Sequence, residues 1–144
     1  MLKPISACII SYNEIDRIAA CIGSLSFCDE ILVIDSGSDD GTVVLAESLG
    51  ARVLYRKFDG FRSQKQFAVE QAAHDWILAL DADEVVSETL RAEILAEQSA
   101  GFARCSGYRF PRCDFYHGRF LRHGNFYPHH VLRLFDRRHA GWHG

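Results

Sequence analysis

The chain has 144 residues, 48% of them hydrophobic and 12% aromatic, with a formal net charge of −3. That length and composition suit one globular domain with a real core and exclude a disordered chain. No apolar stretch approaches the roughly 20 residues of a membrane-spanning helix. The first residues give way too soon to Asn13-Glu14 for a secretory leader, so a cytoplasmic protein is expected.

Ile5 to Ile10 reads as a first buried strand, ending in Ser11-Tyr12-Asn13-Glu14. Ile15, Ile18, Ala19, Ile22 and Leu25 then recur at helical spacing. Ile31 to Ile34 is a second strand, halted by Asp35-Ser36-Gly37-Ser38-Asp39-Asp40-Gly41-Thr42, a loop made of turn formers and helix caps. Val43 to Leu49 predicts a helix closed by Gly50, and Ala51 to Tyr55 a third strand. A third helix is expected over Arg62 to His74 with Phe67, Ala68 and Gln71 on one side. Trp76 to Leu80 is the fourth strand, and Ser87 caps a helix running to Glu97. Strand–helix alternation of this kind implies parallel pairing through right-handed crossovers, hence an α/β, Rossmann-like, mostly parallel sheet flanked by helices.

After Gly101 the pattern changes. Residues 1–100 carry eight Lys and Arg against 17 Asp and Glu, whereas residues 101–144 carry eight Arg, no Lys, and only Asp114 and Asp136. Six of the seven histidines and ten of the 17 aromatics also lie there. Residues 1–100 therefore read as an α/β scaffold. Residues 101–144 read as a basic, aromatic extension of the same domain, a small antiparallel or mixed β unit laid over the mouth of the sheet. The five cysteines form no Cys-x-x-Cys pair, and Cys8 and Cys21 look like small core residues. The spacings of His117, His123, His129, His130, His139 and His143 match no tetrahedral zinc pattern.

The run Trp76-Ile77-Leu78-Ala79-Leu80-Asp81-Ala82-Asp83-Glu84 is the most telling segment. A buried strand that ends in three carboxylates concentrates negative charge, which is unfavourable without a cation. Asp81 and Asp83, one residue apart, can reach a single hard divalent ion, Mg²⁺ or Mn²⁺, of the kind that shares its shell with a substrate's phosphates. An acidic helix start is the plain alternative, and for Glu84 either role, starting the helix or tuning the metal shell, stays open. In an open α/β sheet the three polar loops after the first, second and fourth strands face one crevice. Neither a Gly-x-Gly-x-x-Gly turn nor a Gly-x-x-x-x-Gly-Lys-Ser/Thr loop is present, so phosphate must be held through a metal and not through backbone amides. Asp39 and Asp40 read as turn and cap residues.

Ile9-Ile10-Ser11-Tyr12-Asn13-Glu14, Ile31 to Thr42 and Leu80-Asp81-Ala82-Asp83-Glu84 together resemble the family 2 inverting glycosyltransferases of the GT-A fold. Arg119 to Pro128 and Val131 to Arg137 are further similar to bacterial lipopolysaccharide-core β-glucosyltransferases. The resemblance implies a metal-dependent transfer of a hexose, expected to be glucose, from a UDP-sugar to a lipopolysaccharide-core or similar saccharide acceptor. By the same resemblance Tyr12 and Glu14 flank the base and ribose, and Asp35 accepts from the uracil ring. Asp81 holds the ribose or assists the metal, Asp83 ligates Mg²⁺ or Mn²⁺, and Gln64 and Lys65 lie near the nucleotide, Lys65 offsetting phosphate charge. The general base of an inverting transfer is expected beyond Gly144, where similar sequences carry a His-Glu pair, with Asp114 a weak candidate inside the chain. A truncated chain is expected on the same ground.

Two rivals stand beside this reading: a catalytically silent nucleotide-sugar-binding module or fragment, and a nucleotidyltransferase, whose glycine-rich first loop is replaced here by Ser11-Tyr12-Asn13-Glu14. The Arg and aromatic tail would also suit nucleic acid. The adjoining nucleotide-sugar site instead favours a phosphorylated, lipid-linked saccharide and peripheral contact with the anionic inner face of the cytoplasmic membrane, with no nucleic acid as partner.

Overall fold

The computed structural model describes residues 2–103, 107–111, 115–117 and 131–139. The described strands are β1 (Ile5–Ser11), β2 (Glu30–Asp35), β3 (Arg52–Tyr55), β4 (Trp76–Asp81), β5 (Glu84–Val86), β6 (Gly107–Pro111), β7 (Phe115–His117) and β8 (Val131–Asp136). The helices are α1 (Ile18–Gly23), α2 (Thr42–Ser48), α3 (Phe61–Gln71) and α4 (Glu88–Ser99). One six-stranded sheet runs β3-β2-β1-β4-β8-β6. Its first four strands are mutually parallel, while β8 is antiparallel to both β4 and β6.

The two faces of the sheet follow the period-two alternation of the strands. Ile5, Ala7 and Ile9 of β1 and Trp76, Leu78 and Leu80 of β4 point to one side, where they meet Ile18 and Cys21 of α1 and Leu90 and Ile94 of α4. Cys8 of β1 and Ile77 of β4 point to the other, against Ala68 and Val69 of α3. A strand buried on both faces explains why Trp76 to Leu80 shows no polar alternation. Each fully buried Leu or Ile contributes about 1.5–3 kcal/mol by its removal from water.

Three differences from the sequence reading have local causes. The first helix is shorter than its apolar periodicity, because Asn13, Glu14 and Ile15 give their backbone N–H groups to the side chains of Ser38, Thr42 and Asp40, in the β2–α2 loop and at the start of α2. On α3 the buried polar residue is Gln64 and not Gln71, which stays exposed while its carbonyl accepts from Arg52 at 2.7 Å. Of the described C-terminal strands, β6 and β8 lie within the sheet and not over its mouth. β8 enters beside β4 and extends the sheet, and β5 with β7 forms a separate two-stranded ribbon.

Arg137, just after β8, fastens that extension. Its guanidinium donates to Asp75 Oδ1 at 3.0 Å and to the carbonyls of Val69 and Ala72 at 2.9 and 2.8 Å, closing the C-terminal end of α3. Ser87 accepts from the N–H of Leu90 at 3.1 Å, so α4 has the cap its sequence promised. Gly50, at φ +98°, takes the left-handed position that ends α2.

Candidate active site

Strand order reverses at β1: the chain runs outward to β2 and β3, then returns to lay β4 on the other side of β1. Beyond the carboxyl ends of β1 and β4 such a reversal opens a crevice. A cavity of about 210 Å³ sits there. Ser11, Tyr12 and Glu14 line it from β1, Asp81, Ala82 and Asp83 from β4, Ser36 from β2, and Phe58, Phe61 and Gln64 from the segment after β3.

Two loops form one rigid wall. Asn13, in the left-handed region at φ +51°, donates its N–H to Ser38 Oγ at 2.7 Å, and its side-chain oxygen accepts from the N–H of Asp39 at 2.9 Å. The N–H of Glu14 donates to Thr42 Oγ1 at 2.9 Å and that of Ile15 to Asp40 Oδ2 at 3.2 Å. Asp40 also accepts from the hydroxyl and N–H of Thr42, and the hydroxyl bond above all holds its carboxyl below the usual range. The Asp40 carboxyl thus serves the loop, as its turn chemistry suggested, while Asp39 contributes its backbone N–H.

Asp35 lies beneath this wall, 2% exposed. It accepts from the hydroxyls of Ser11 and Ser38 at 2.8 and 2.6 Å, and from the N–H groups of Gly37 and Ser38 at 2.9 and 2.7 Å. Burial pushes its carboxyl up, but the bonds from Ser38, Ser11 and Gly37 outweigh burial and hold it below the usual range. Its neighbour Ser36, not Asp35, lines the cavity.

At the end of β4, Ala82 donates its N–H to the carbonyl of Ile10 at 3.2 Å, holding the Asp81–Asp83 turn against β1. Glu84 starts no helix; it opens β5 and turns inward, 4% exposed, accepting from the N–H of Asp81 at 2.7 Å. Asp81 and Asp83 remain on the cavity wall. Lys65 Nζ stands 4.0 Å from Asp81 Oδ1, with both side chains about one-third exposed at 30% and 36%. Beneath them Cys21 donates its S–H to the carbonyl of Asp81 at 3.7 Å, and burial, aided by Glu84, Asp83 and Asp81, pushes its thiol well up.

Gln64 forms the cavity floor, fully buried. Its amide donates to Ser36 Oγ at 3.2 Å and to the carbonyl of Arg56 at 3.1 Å, and accepts from the Arg56 guanidinium at 2.9 Å. Arg56 in turn lies 5.2 Å over the ring of Phe67.

The structure therefore brings Tyr12, Glu14, Gln64, Asp81 and Asp83 to one cavity, sets Lys65 beside Asp81, and places Asp35 under the loop. Asp114, and the stretch Arg119 to Pro128, lie outside the described residues. Asp136 stands opposite Trp76 at the far end of β4, held by Arg138 at 2.6 Å, so it belongs to the other rim of the sheet. Sequence reasoning missed Phe58 and Phe61, whose rings meet edge to face at 5.0 Å. Two aromatics flanking an Asp-Gly turn between a strand and a helix were the available signal.

Among the described residues no group of three or more His, Cys, Asp or Glu forms a ready metal cage. Two carboxylates on one cavity wall nonetheless fit a hard cation that draws its remaining ligands from phosphate oxygens and water.

The sheet carries an acidic turn beside a crevice at its switch point, and the sequence profile of Glycosyl transferase family 2 matches residues 6–141. The chain belongs to that family. It is 38% identical over 139 residues to the lipopolysaccharide core biosynthesis glycosyltransferase LpsC of Rhizobium meliloti (strain 1021), covering 93% of this chain and 51% of that protein. It is 47% identical over 95 residues to an uncharacterized glycosyltransferase of Rickettsia bellii (strain RML369-C), covering 65% of this chain and 32% of the relative. The chain thus spans from a third to about half of the length of these curated relatives. Its fold is that of the glucosyl-3-phosphoglycerate synthase of Mycobacterium tuberculosis, crystallised with Mn²⁺, UDP and glucosyl-3-phosphoglycerate. The TM-score is 0.71 at 20% identity, over 94% of this chain and 57% of that one.

Proposed function

We propose that the protein is the donor-binding part of a metal-dependent inverting glycosyltransferase that moves a hexose, glucose in the first instance, from a UDP-sugar to a lipopolysaccharide-core or similar saccharide acceptor. The observation that carries this is the shared cavity of Asp81 and Asp83 with Tyr12 and Glu14 at the β1/β4 switch point. The likeness to LpsC supports the acceptor class.

Asp81 and Asp83 would hold Mg²⁺ or Mn²⁺, which when bound neutralises charge on the departing nucleoside diphosphate. Tyr12, 58% exposed at the rim, offers a ring face to the base, and Glu14 an acceptor toward the ribose. Lys65 can leave Asp81 for a donor phosphate over a short swing. Asp35 and Gln64 act through the walls they tie: Asp35 sets the loop that carries Ser36 and Ser38, and Gln64 fixes Ser36 and Arg56. Asp136 stands on the opposite rim of the sheet from the crevice, so it is not proposed as the base that deprotonates the acceptor hydroxyl. The partners proposed are a UDP-sugar and a saccharide or lipid-linked saccharide acceptor. The proposed location is cytoplasmic, peripheral to the inner face of the membrane; among the described residues no helix is long and apolar enough to cross a bilayer.

Calorimetric titration of UDP with and without Mn²⁺, on the wild type and on Asp83→Ala, tests this. Binding that requires both the metal and Asp83 is expected, and binding indifferent to both would overturn it. Product formed by this chain on a saccharide acceptor would exclude a second reading, a nucleotide-sugar-binding module without turnover.

A further inference from the structure

Among residues whose side chains are described, the exposed aromatics are Tyr12, Tyr55, Phe58 and Phe61, at 58%, 67%, 46% and 67%. Tyr55 ends β3, Phe58 and Phe61 follow it, and Tyr12 follows β1, so all four stand on the same rim of the sheet. Three of them fall within Tyr55-Arg56-Lys57-Phe58-Asp59-Gly60-Phe61-Arg62. Single exposed apolar residues are ordinary on any protein; several adjoining aromatics on one rim mark a surface for something else.

The charge around them is unlike that of the surrounding scaffold. Residues 1–100 carry 17 acidic against eight basic residues, yet four of those eight, Arg56, Lys57, Arg62 and Lys65, lie within ten consecutive positions. Arg56 is committed to Gln64 and Phe67, and Lys65 faces Asp81. Lys57 and Arg62 are exposed and make no ion pair among the described residues; Asp59 is the one acidic neighbour in the segment. Exposed Phe rings between unpaired cations match the interfacial zone of an anionic bilayer, apolar just below the headgroups and negative at them.

We propose that the segment from Tyr55 to Arg62 seats the protein on an anionic phospholipid bilayer. Phe58 and Phe61 enter the acyl boundary, and Lys57 and Arg62 lie at the lipid phosphates. Since both rings also line the cavity, this seating turns the cavity mouth toward the lipid surface, where a lipid-linked acceptor is held. The inference rests on the peripheral-membrane part of the function proposed above. Vesicle binding measured without nucleotide or metal separates its failure from failure of the donor site.

The test is co-sedimentation of the chain with phosphatidylcholine vesicles, with and without phosphatidylglycerol, for wild type, Lys57→Ser/Arg62→Ser and Phe58→Ser/Phe61→Ser. Urea midpoints check that each variant folds. The wild type is expected to favour the phosphatidylglycerol vesicles, losing them as salt rises. The charge variant should lose roughly 30-fold in partition and the aromatic variant at least about tenfold. Partition unchanged in both variants would place membrane contact elsewhere, the basic tail included, and overturn the proposal. An aromatic variant that keeps vesicle binding and loses UDP binding would assign the two rings to the donor pocket and also overturn it.

Discussion

Ser11, the last residue of β1, donates its hydroxyl to Asp35, the last residue of β2, at 2.8 Å, and the two are register partners in the parallel pair. The bond joins the ends of the two strands that carry the cavity's rigid wall. Asp35→Ala leaves two hydroxyls and two N–H groups without their acceptor, and is expected to cost about 3 kcal/mol. Ser11→Ala removes a single bond and should cost about 1 kcal/mol. Urea denaturation reads both, and an Asp35→Ala midpoint equal to wild type would show that the network carries no stability.

Acid should weaken the fold, this wall included. Burial raises the buried Asp35 and the half-buried Glu30, but hydrogen bonds hold both below their ordinary values: Ser38 and Ser11 for Asp35, Ser6, the N–H of Ala73 and Arg52 for Glu30. Asp136 is lowered chiefly by its bond from Arg138. A carboxyl with a depressed folded value stabilises fully above its unfolded value near about 4, and loses that contribution as pH falls through the folded one. Stability is therefore expected to be level from neutral pH to about 5 and to fall steeply below about 4. Melting temperatures across that range would check it; a protein as stable at pH 3 as at pH 7 would contradict the assignment.

Asp83→Asn and Asp81→Asn should each abolish the metal-dependent part of UDP affinity, at least about tenfold, since outer ligands alone are worth that much at metal sites. Lys65→Met should weaken UDP binding less, and change folding stability by under about 0.5 kcal/mol because its ion pair is solvent-exposed. Isothermal titration and a urea curve on the same samples separate the two effects.

Much of this site was legible because a parallel strand buried on both faces is written as an unbroken apolar run. Trp76 to Leu80 is too short for a comfortable helix, and as a strand it delivers Asp81 and Asp83 at its carboxyl end. Ser87 and Gly50 marked helix ends through chemistry that is local to them. The resemblance sets Gln64 near the nucleotide, but its burial depends on Arg56 and Ser36, neither of which the helix periodicity contains. The pairing of β8 with β4 joins residues more than 50 positions apart, and no periodicity encodes a partner at that distance.

Arg137 is predicted to matter more than its surface position suggests. Its guanidinium satisfies two carbonyls at the end of α3 as well as Asp75. Arg137→Leu should cost about 2 kcal/mol and raise amide exchange in β8 and the last turn of α3 ahead of the rest of the sheet. Uniform exchange across the sheet in that variant would argue against a local fastening.

Thiol chemistry gives an independent check on the core. Burial pushes the Cys8 thiol up to about 12 and raises Cys21 as well, so neither forms the reactive thiolate near neutral pH. Alkylation followed by peptide mapping should find both unmodified in the native protein and both modified in urea. Native modification at the rate of the unfolded chain would mean that the α1 and α3 layers do not cover the sheet as described.

The strand that presents Asp81 has a neighbour on one side from the chain's beginning, β1, and on the other from its far end, β8. During synthesis the first three strands and β4 leave the ribosome long before residues 131–136 follow. Until then the open side of β4 offers unpaired amides and carbonyls, together with an apolar face, to any other nascent chain. A shortened version ending after α4 would keep that open side permanently. Such a product would collect in inclusion bodies by strand-to-strand pairing between copies, even though every carboxylate of the crevice is encoded in it.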